Sequence, residues 1–191
     1  IAADTRMTGN LVNGQDFDGT NLAYIPQRFE HFVMMLDGKI APVPGRIGNS
    51  PGLDADPMGE GLHVIAYQAR DAVVDYATWD KFQDFVDHKD LGDVRSRHDA
   101  RGLPADGFNE VYSRYSKTLI GVGNAAGSDT RTGLETELVA LTNPYTAEAD
   151  AGMQLQLFYR QDVRANVQLE VFEKAPDGTV TTTLYRTDGN G

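Results

Sequence analysis

The side chains best able to hold a ligand in this sequence are its four histidines, His31, His63, His88 and His98. The chain has no cysteine, which excludes thiolate metal sites, disulfides and cysteine nucleophiles together. Imidazole is then the best remaining borderline donor for nickel, cobalt, copper or zinc, and a carboxylate can complete the set. Elimination and placement point to His63, His98 and Glu110. His98 and Glu110 flank the turn at 102–104, so the chain can fold back and bring them together. His63 lies on a strand with which the returning 108–123 segment can pair. A four-coordinate shell then needs one more donor, from a segment upstream of Ile1. The competing expectation is dispersal, each group hydrogen-bonded where it stands, as a histidine in mid-strand ordinarily is.

The remaining groupings carry weaker chemistry. His31 lies near Met34 and Met35, a set that suits copper(I), yet strand alternation puts His31 and Met35 on one face and Met34 on the other. Asp84 and His88 are four apart on a helical stretch and share a face, which supplies two ligands for a divalent ion. Asp54, Asp56 and Glu60 crowd one loop with the oxygen donors calcium takes, without the spacing of a twelve-residue calcium loop. Glu110, Tyr112 and Arg114 alternate onto one strand face, with Lys117 on the opposite one, a pattern of a wet face or an ion-pair ladder. The sequence contains no His-Glu-x-x-His pair, phosphate loop or dinucleotide fingerprint. The expectation is that the protein is not an enzyme.

The elements that must position these residues read mostly with a period of two. In 27–36, Phe29, His31, Val33 and Met35 alternate with Arg28, Glu30, Phe32 and Met34, and in 62–67 Leu62, Val64 and Ala66 alternate with His63, Ile65 and Tyr67. Apolar residues on both faces predict substantial burial. Turn-rich stretches occupy 13–20 and 48–61. Trp79, Phe82, Phe85 and Val86 recur at helical spacing behind a capping Thr78, and a second short helix over 93–101 stops at Gly102 and Pro104. Residues 108–123 read as extended, although Val111, Tyr115 and Leu119 also fit a helical spacing. Beyond a Gly- and Ser-rich boundary at 123–133, short strands follow one another. Leu134, Thr136, Leu138 and Ala140 mark one, Met153, Leu155, Leu157 and Tyr159 the next, then 167–171 and 180–184 around the turn at 176–178. The fold class expected is mainly β, with two antiparallel sandwich-like modules at 1–125 and 133–191. The first carries a helical insertion at 78–101, whose Trp79, Phe82 and Val86 are expected to dock onto it. The second is incomplete, so further strands are expected downstream, as further residues are upstream of Ile1.

Composition narrows the partners. Hydrophobic residues make up 40% and charged residues 24% of the chain, enough for a packed core. The 28 acidic and 17 basic residues leave a net charge of −11, the wrong sign for covering phosphates, which disfavours nucleic acid and anionic lipid. The longest apolar runs are strand-sized, far below the roughly 18 residues of a membrane helix.

Three stretches together carry a family resemblance. They are Asn13-Gly14-Gln15-Asp16-Phe17 leading to Tyr24-Ile25-Pro26-Gln27-Arg28-Phe29; Arg101-Gly102-Leu103-Pro104 leading to Glu110, Tyr112, Arg114, Tyr115 and Lys117; and 134–145 followed by the strand at 168–172 and Thr187-Asp188. The set resembles the NikM-like family of bacterial extracytoplasmic proteins, a domain of unknown function formerly labelled a nickel-transport-complex subunit. The resemblance implies a signal peptide, a periplasmic or otherwise extracytoplasmic location, and a link to metal uptake. It also implies a second module similar to carboxypeptidase-regulatory-like and other transthyretin-like sandwiches, and a His-Glu pair just after the signal peptide. The expected function is an accessory protein that binds or hands over a transition-metal ion such as nickel or cobalt, with a membrane metal-uptake system or another protein as partner. The alternative is a non-catalytic structural or adhesive module that binds a protein or a glycan.

Overall fold

The structure, a computed structural model, describes residues 1–15 and 17–191; Asp16, part of the first family-like stretch, lies outside the described residues. Strands take up 43% of the chain and helices 13%, in several small antiparallel sheets. Packing divides the chain into two compact units, one of residues 1–70 with 115–191 and the other of residues 71–114. The Gly- and Ser-rich stretch at 123–133 falls inside the first unit, while the second unit contains the expected helices and the hairpin that brackets them.

In the first unit, strand β1 (Met7–Gly9) is followed by a hairpin of β2 (Leu11–Gln15) and β3 (Asp18–Leu22), where a turn-rich loop was expected. Glycine permits this pairing: Gly14 opposes Gly19, and a Cβ on Gly14 would lie 1.9 Å from the Asp18 carbonyl oxygen. Strands β4 (Phe29–Leu36) and β5 (Lys39–Pro42) form a second hairpin. The short β6 (Leu53–Ala55), inside the other turn-rich stretch, pairs with β1. Strand β7 (Gly61–Ala69) is buried along most of its length because it lies between β4 and, later in the chain, residues 115–122.

The core of this unit lies between the β1–β6 ladder and one face of the sheet, and contains Met7, Phe32, Met34, Leu53, Ile65 and Val122. Strict alternation puts Phe29 on the opposite face from Phe32. The register of β4 against β7 instead shifts between Phe29 and His31, and this irregularity returns the Phe29 ring to within 5.6 Å of Phe32 and 5.8 Å of Tyr67.

The second unit begins with β8 (Ala72–Tyr76), continues through α1 (Trp79–His88) and α2 (Val94–Ala100), and returns along β9 (Phe108–Tyr112), which pairs with β8. Thr78 occupies the N-cap position of α1 without a side-chain cap; Asp106 accepts from the Trp79 N–H at 2.7 Å instead. Asp93 caps α2 by accepting from the Ser96 N–H. Phe82 and Val86 are buried, and the rings of Trp79 and Phe82 pack on Tyr76 and Phe108, so the helices dock on the β8–β9 hairpin of their own unit.

The chain re-enters the first unit at β10 (Tyr115–Val122), which completes a four-stranded sheet in the order β10-β7-β4-β5. After it come the three-stranded sheet of β11 (Thr136–Ala140), β12 (Leu155–Tyr159) and β13 (Asp162–Val163), and the hairpin of β14 (Gln168–Lys174) and β15 (Val180–Arg186). On β11 the alternation is as expected but its buried side is not. Glu137 and Val139 are buried, whereas Leu138, expected on the inner face, is only half-buried.

Candidate functional site

His63 sits on β7 with no solvent exposure. Its Nε2 accepts the Met58 backbone N–H at 3.0 Å, so the ring proton is on Nδ1, which faces the Gly61 carbonyl at 3.4 Å. Burial lowers the pKa of this imidazole below its ordinary value, against smaller opposing effects of the Gly61 carbonyl and the Asp37 charge. The ring is neutral at pH 7, and its one lone pair on nitrogen is already engaged in pinning the 55–61 loop to the sheet.

His98 belongs to the other unit and is also buried, between the rings of Trp79 at 4.9 Å and Phe108 at 4.7 Å. Its Nε2 lies 2.7 Å from the Pro104 carbonyl oxygen. A carbonyl only accepts, so here Nε2 carries a proton, whereas Nε2 of His63 does not. Glu110 is half-buried on β9 and accepts from the Tyr76 hydroxyl at 3.2 Å. Burial raises the Tyr76 pKa, and the Glu110 charge raises it further. Each of the three expected ligands therefore has a partner within its own unit. Among the described residues no group of three or more His, Asp or Glu side chains gathers at metal-binding distance.

The weaker groupings resolve as follows. His31 and His88 are exposed. Met34 enters the core, whereas Met35 lines a cleft of about 300 Å³ whose apolar floor is Leu62 and Val64 and whose rim is Asp37, Ser128 and Thr130. None of His63, His98 and Glu110 lines that cleft. In the carboxylate-rich loop, Arg6 bridges Asp54 at 2.7 Å and Asp56 at 2.6 Å, so a cation of the protein's own already occupies the place considered for calcium. Glu110 and Tyr112 are half-buried on their strand face, and the exposed face of the β8–β9 hairpin carries the cross-strand pair Val73 and Val111 instead.

The densest polar site is one that sequence reasoning missed. Lys117 on β10 has a side chain only 10% exposed, and its Nζ lies 2.8 Å from Asp129 Oδ1 and 2.9 Å from Glu137 Oε1. It also donates to the Thr130 carbonyl at 2.8 Å and the Leu138 carbonyl at 3.2 Å. Glu137 has a wholly buried side chain that receives the Thr132 N–H and hydroxyl on Oε1 and Arg131 Nε on Oε2. Burial alone would raise its pKa, yet the hydrogen bonds from Lys117 and Thr132 outweigh that and hold it below the usual glutamate range. Two cations and two anions leave the cluster neutral, which is what makes its burial tolerable. The available signal was that Lys117 and Glu137 both fall in family-like stretches, yet Glu137 read as the polar side of an alternating strand.

A family model described as a domain of unknown function (DUF4198) matches residues 2–191. No curated protein and no solved structure matches the chain.

Proposed function

The chain belongs to the DUF4198 family of unknown function, and from that premise we propose that it is a non-catalytic, extracytoplasmic β-rich module that binds a protein or glycan partner rather than carrying a metal ion. The observation that carries this reading is His63: a fully buried imidazole whose acceptor nitrogen is taken by Met58 N–H serves the fold. A metal would have to displace that bond and free the half-buried Met58 amide, at a cost of about 1 kcal/mol before any coordination is gained. The paired Val73 and Val111, 59% and 61% exposed on adjacent strands, supply apolar surface for contact. The extracytoplasmic placement rests on the NikM-like resemblance of the three sequence stretches. That resemblance is also what supports the competing metal-carrier reading.

Calorimetric titration of untagged protein with nickel, cobalt, zinc and copper separates the two readings. The proposal expects no saturable one-to-one binding. Stoichiometric binding that disappears in His63→Asn or His98→Asn would overturn it. A photo-crosslinking side chain placed at Val111 should capture a protein or glycan adduct in the native host, and the lack of any adduct there would contradict the binding role.

A further inference from the structure

We propose that Lys117 and Asp129 are joined by an intramolecular amide bond, formed spontaneously in the folded chain with Glu137 as the proton relay. Three features of the buried cluster lead to this modification site. The first is contact: Nζ touches Asp129 Oδ1 at 2.8 Å, one bond away from the carboxyl carbon it would attack. Held groups of this kind react with effective molarities far beyond any free amine and acid.

The second is the state of the two carboxyl oxygens. Asp129 Oδ2 accepts the Ala140 N–H at 2.8 Å. Oδ1 is a buried side-chain oxygen without a hydrogen bond, because Lys117 approaches it closely but outside hydrogen-bond geometry. A buried oxygen that is ion-paired yet accepts no hydrogen bond calls for an explanation. Amide formation provides one: Oδ1 is the atom that leaves, and Oδ2 stays as the amide carbonyl on its existing donor.

The third is a base in the right place. Glu137 Oε1 lies 2.9 Å from Nζ, and Arg131 and Thr132 hold the carboxylate in position. The Glu137 carboxylate is thus within reach of the proton that the ammonium must give up before Nζ attacks.

The step balances without a co-reactant. Nζ begins with three hydrogens and bonds to Asp129 Cγ while the Cγ–Oδ1 bond breaks. Two of the three hydrogens pass to Oδ1, with Glu137 as relay, and leave with it as water. The third remains on the amide nitrogen, facing the Thr130 carbonyl or Glu137. Nothing is oxidised or reduced. The product ties β10 covalently to the loop that precedes β11.

Intact mass spectrometry of the full chain tests the proposal. The expected mass is one water below the sequence value, with a branched peptide linking Lys117 to Asp129 after proteolysis. Lys117→Arg and Asp129→Ala should both have the full sequence mass, and so should Glu137→Gln if it folds. Full sequence mass in the folded wild-type protein would overturn the proposal. So would a water loss that survives Lys117→Arg or reverses in hydroxylamine, since either marks a succinimide at one of the Asp-Gly pairs. Complete cross-linking in Glu137→Gln would overturn the role given to Glu137.

Discussion

The two units keep their polar groups inside by different means. In the first, a four-stranded sheet covered by the β1–β6 ladder has enough apolar area to hold a core of aliphatic, methionine and aromatic side chains, and it can also bury a four-member charge cluster. The second unit is one hairpin and two short helices, and its core is a set of rings: Tyr76, Trp79, Phe82, Phe108 and the His98 imidazole. A small unit has little interior per residue, so it depends on side chains that bury the most area each. Its buried polar group is correspondingly an imidazole hydrogen-bonded to a backbone carbonyl, not an ion pair. In both units a residue that could serve a ligand is engaged in holding the fold.

The largest effect expected from breaking this contrast is at Glu137. Glu137→Ala strands Lys117 and Arg131 beside an interior without their anion and should cost about 3–5 kcal/mol, read as a fall in the denaturant midpoint of the first unit. The pH dependence has a fixed sign. The folded pKa of Glu137 lies below its unfolded value, so its contribution is complete above the ordinary glutamate pKa of about 4.3. It is lost as pH falls through the folded pKa, and Glu137→Gln should flatten the acid limb of the stability curve. An unchanged acid limb in that variant would remove the carboxylate from the account.

Phe82→Ala should cost about 3 kcal/mol, and the loss should be local. Hydrogen exchange should accelerate across 71–114 while β4, β7 and β10 keep their protection. Equal acceleration in both units would show that they unfold as one. Removing the helix cap should have the smallest effect. Asp106→Ala frees the Trp79 N–H and should lower stability by about 1 kcal/mol, with faster exchange at the first turn of α1. No change there would mean that water replaces the cap at no cost.

Much of this architecture was legible because alternation and helical spacing depend on local geometry. The strands around Phe32, Val64 and Leu157, the two helices, and the extended course of 108–122 all follow from it. What the spacing did not reveal is which face of a strand turns inward. On β11 the apolar count favoured Leu138, yet Glu137 is inside because Lys117 and Arg131 arrive from elsewhere in the chain to neutralise it. On β9, Glu110 turns toward Tyr76 and leaves Val111 outside for the same kind of reason. The register shift at Phe29 is another long-range effect, since it depends on how β4 meets β7. Of the candidate ligands only His63 reads from its strand as a half-buried group; the partners of all three lie in loop backbone at Met58 and Pro104 and in a cross-strand tyrosine, and no side-chain pattern announces these.

The central claim, that the buried imidazoles serve the fold, is tested most directly by long-range proton–nitrogen NMR of the histidine rings at neutral pH, with and without nickel. The account predicts His63 protonated on Nδ1 with a bare Nε2 and His98 protonated on Nε2, both unchanged by an equivalent of nickel. Joint loss or shift of both ring signals on adding the metal, or a His63 ring protonated on Nε2, would contradict it.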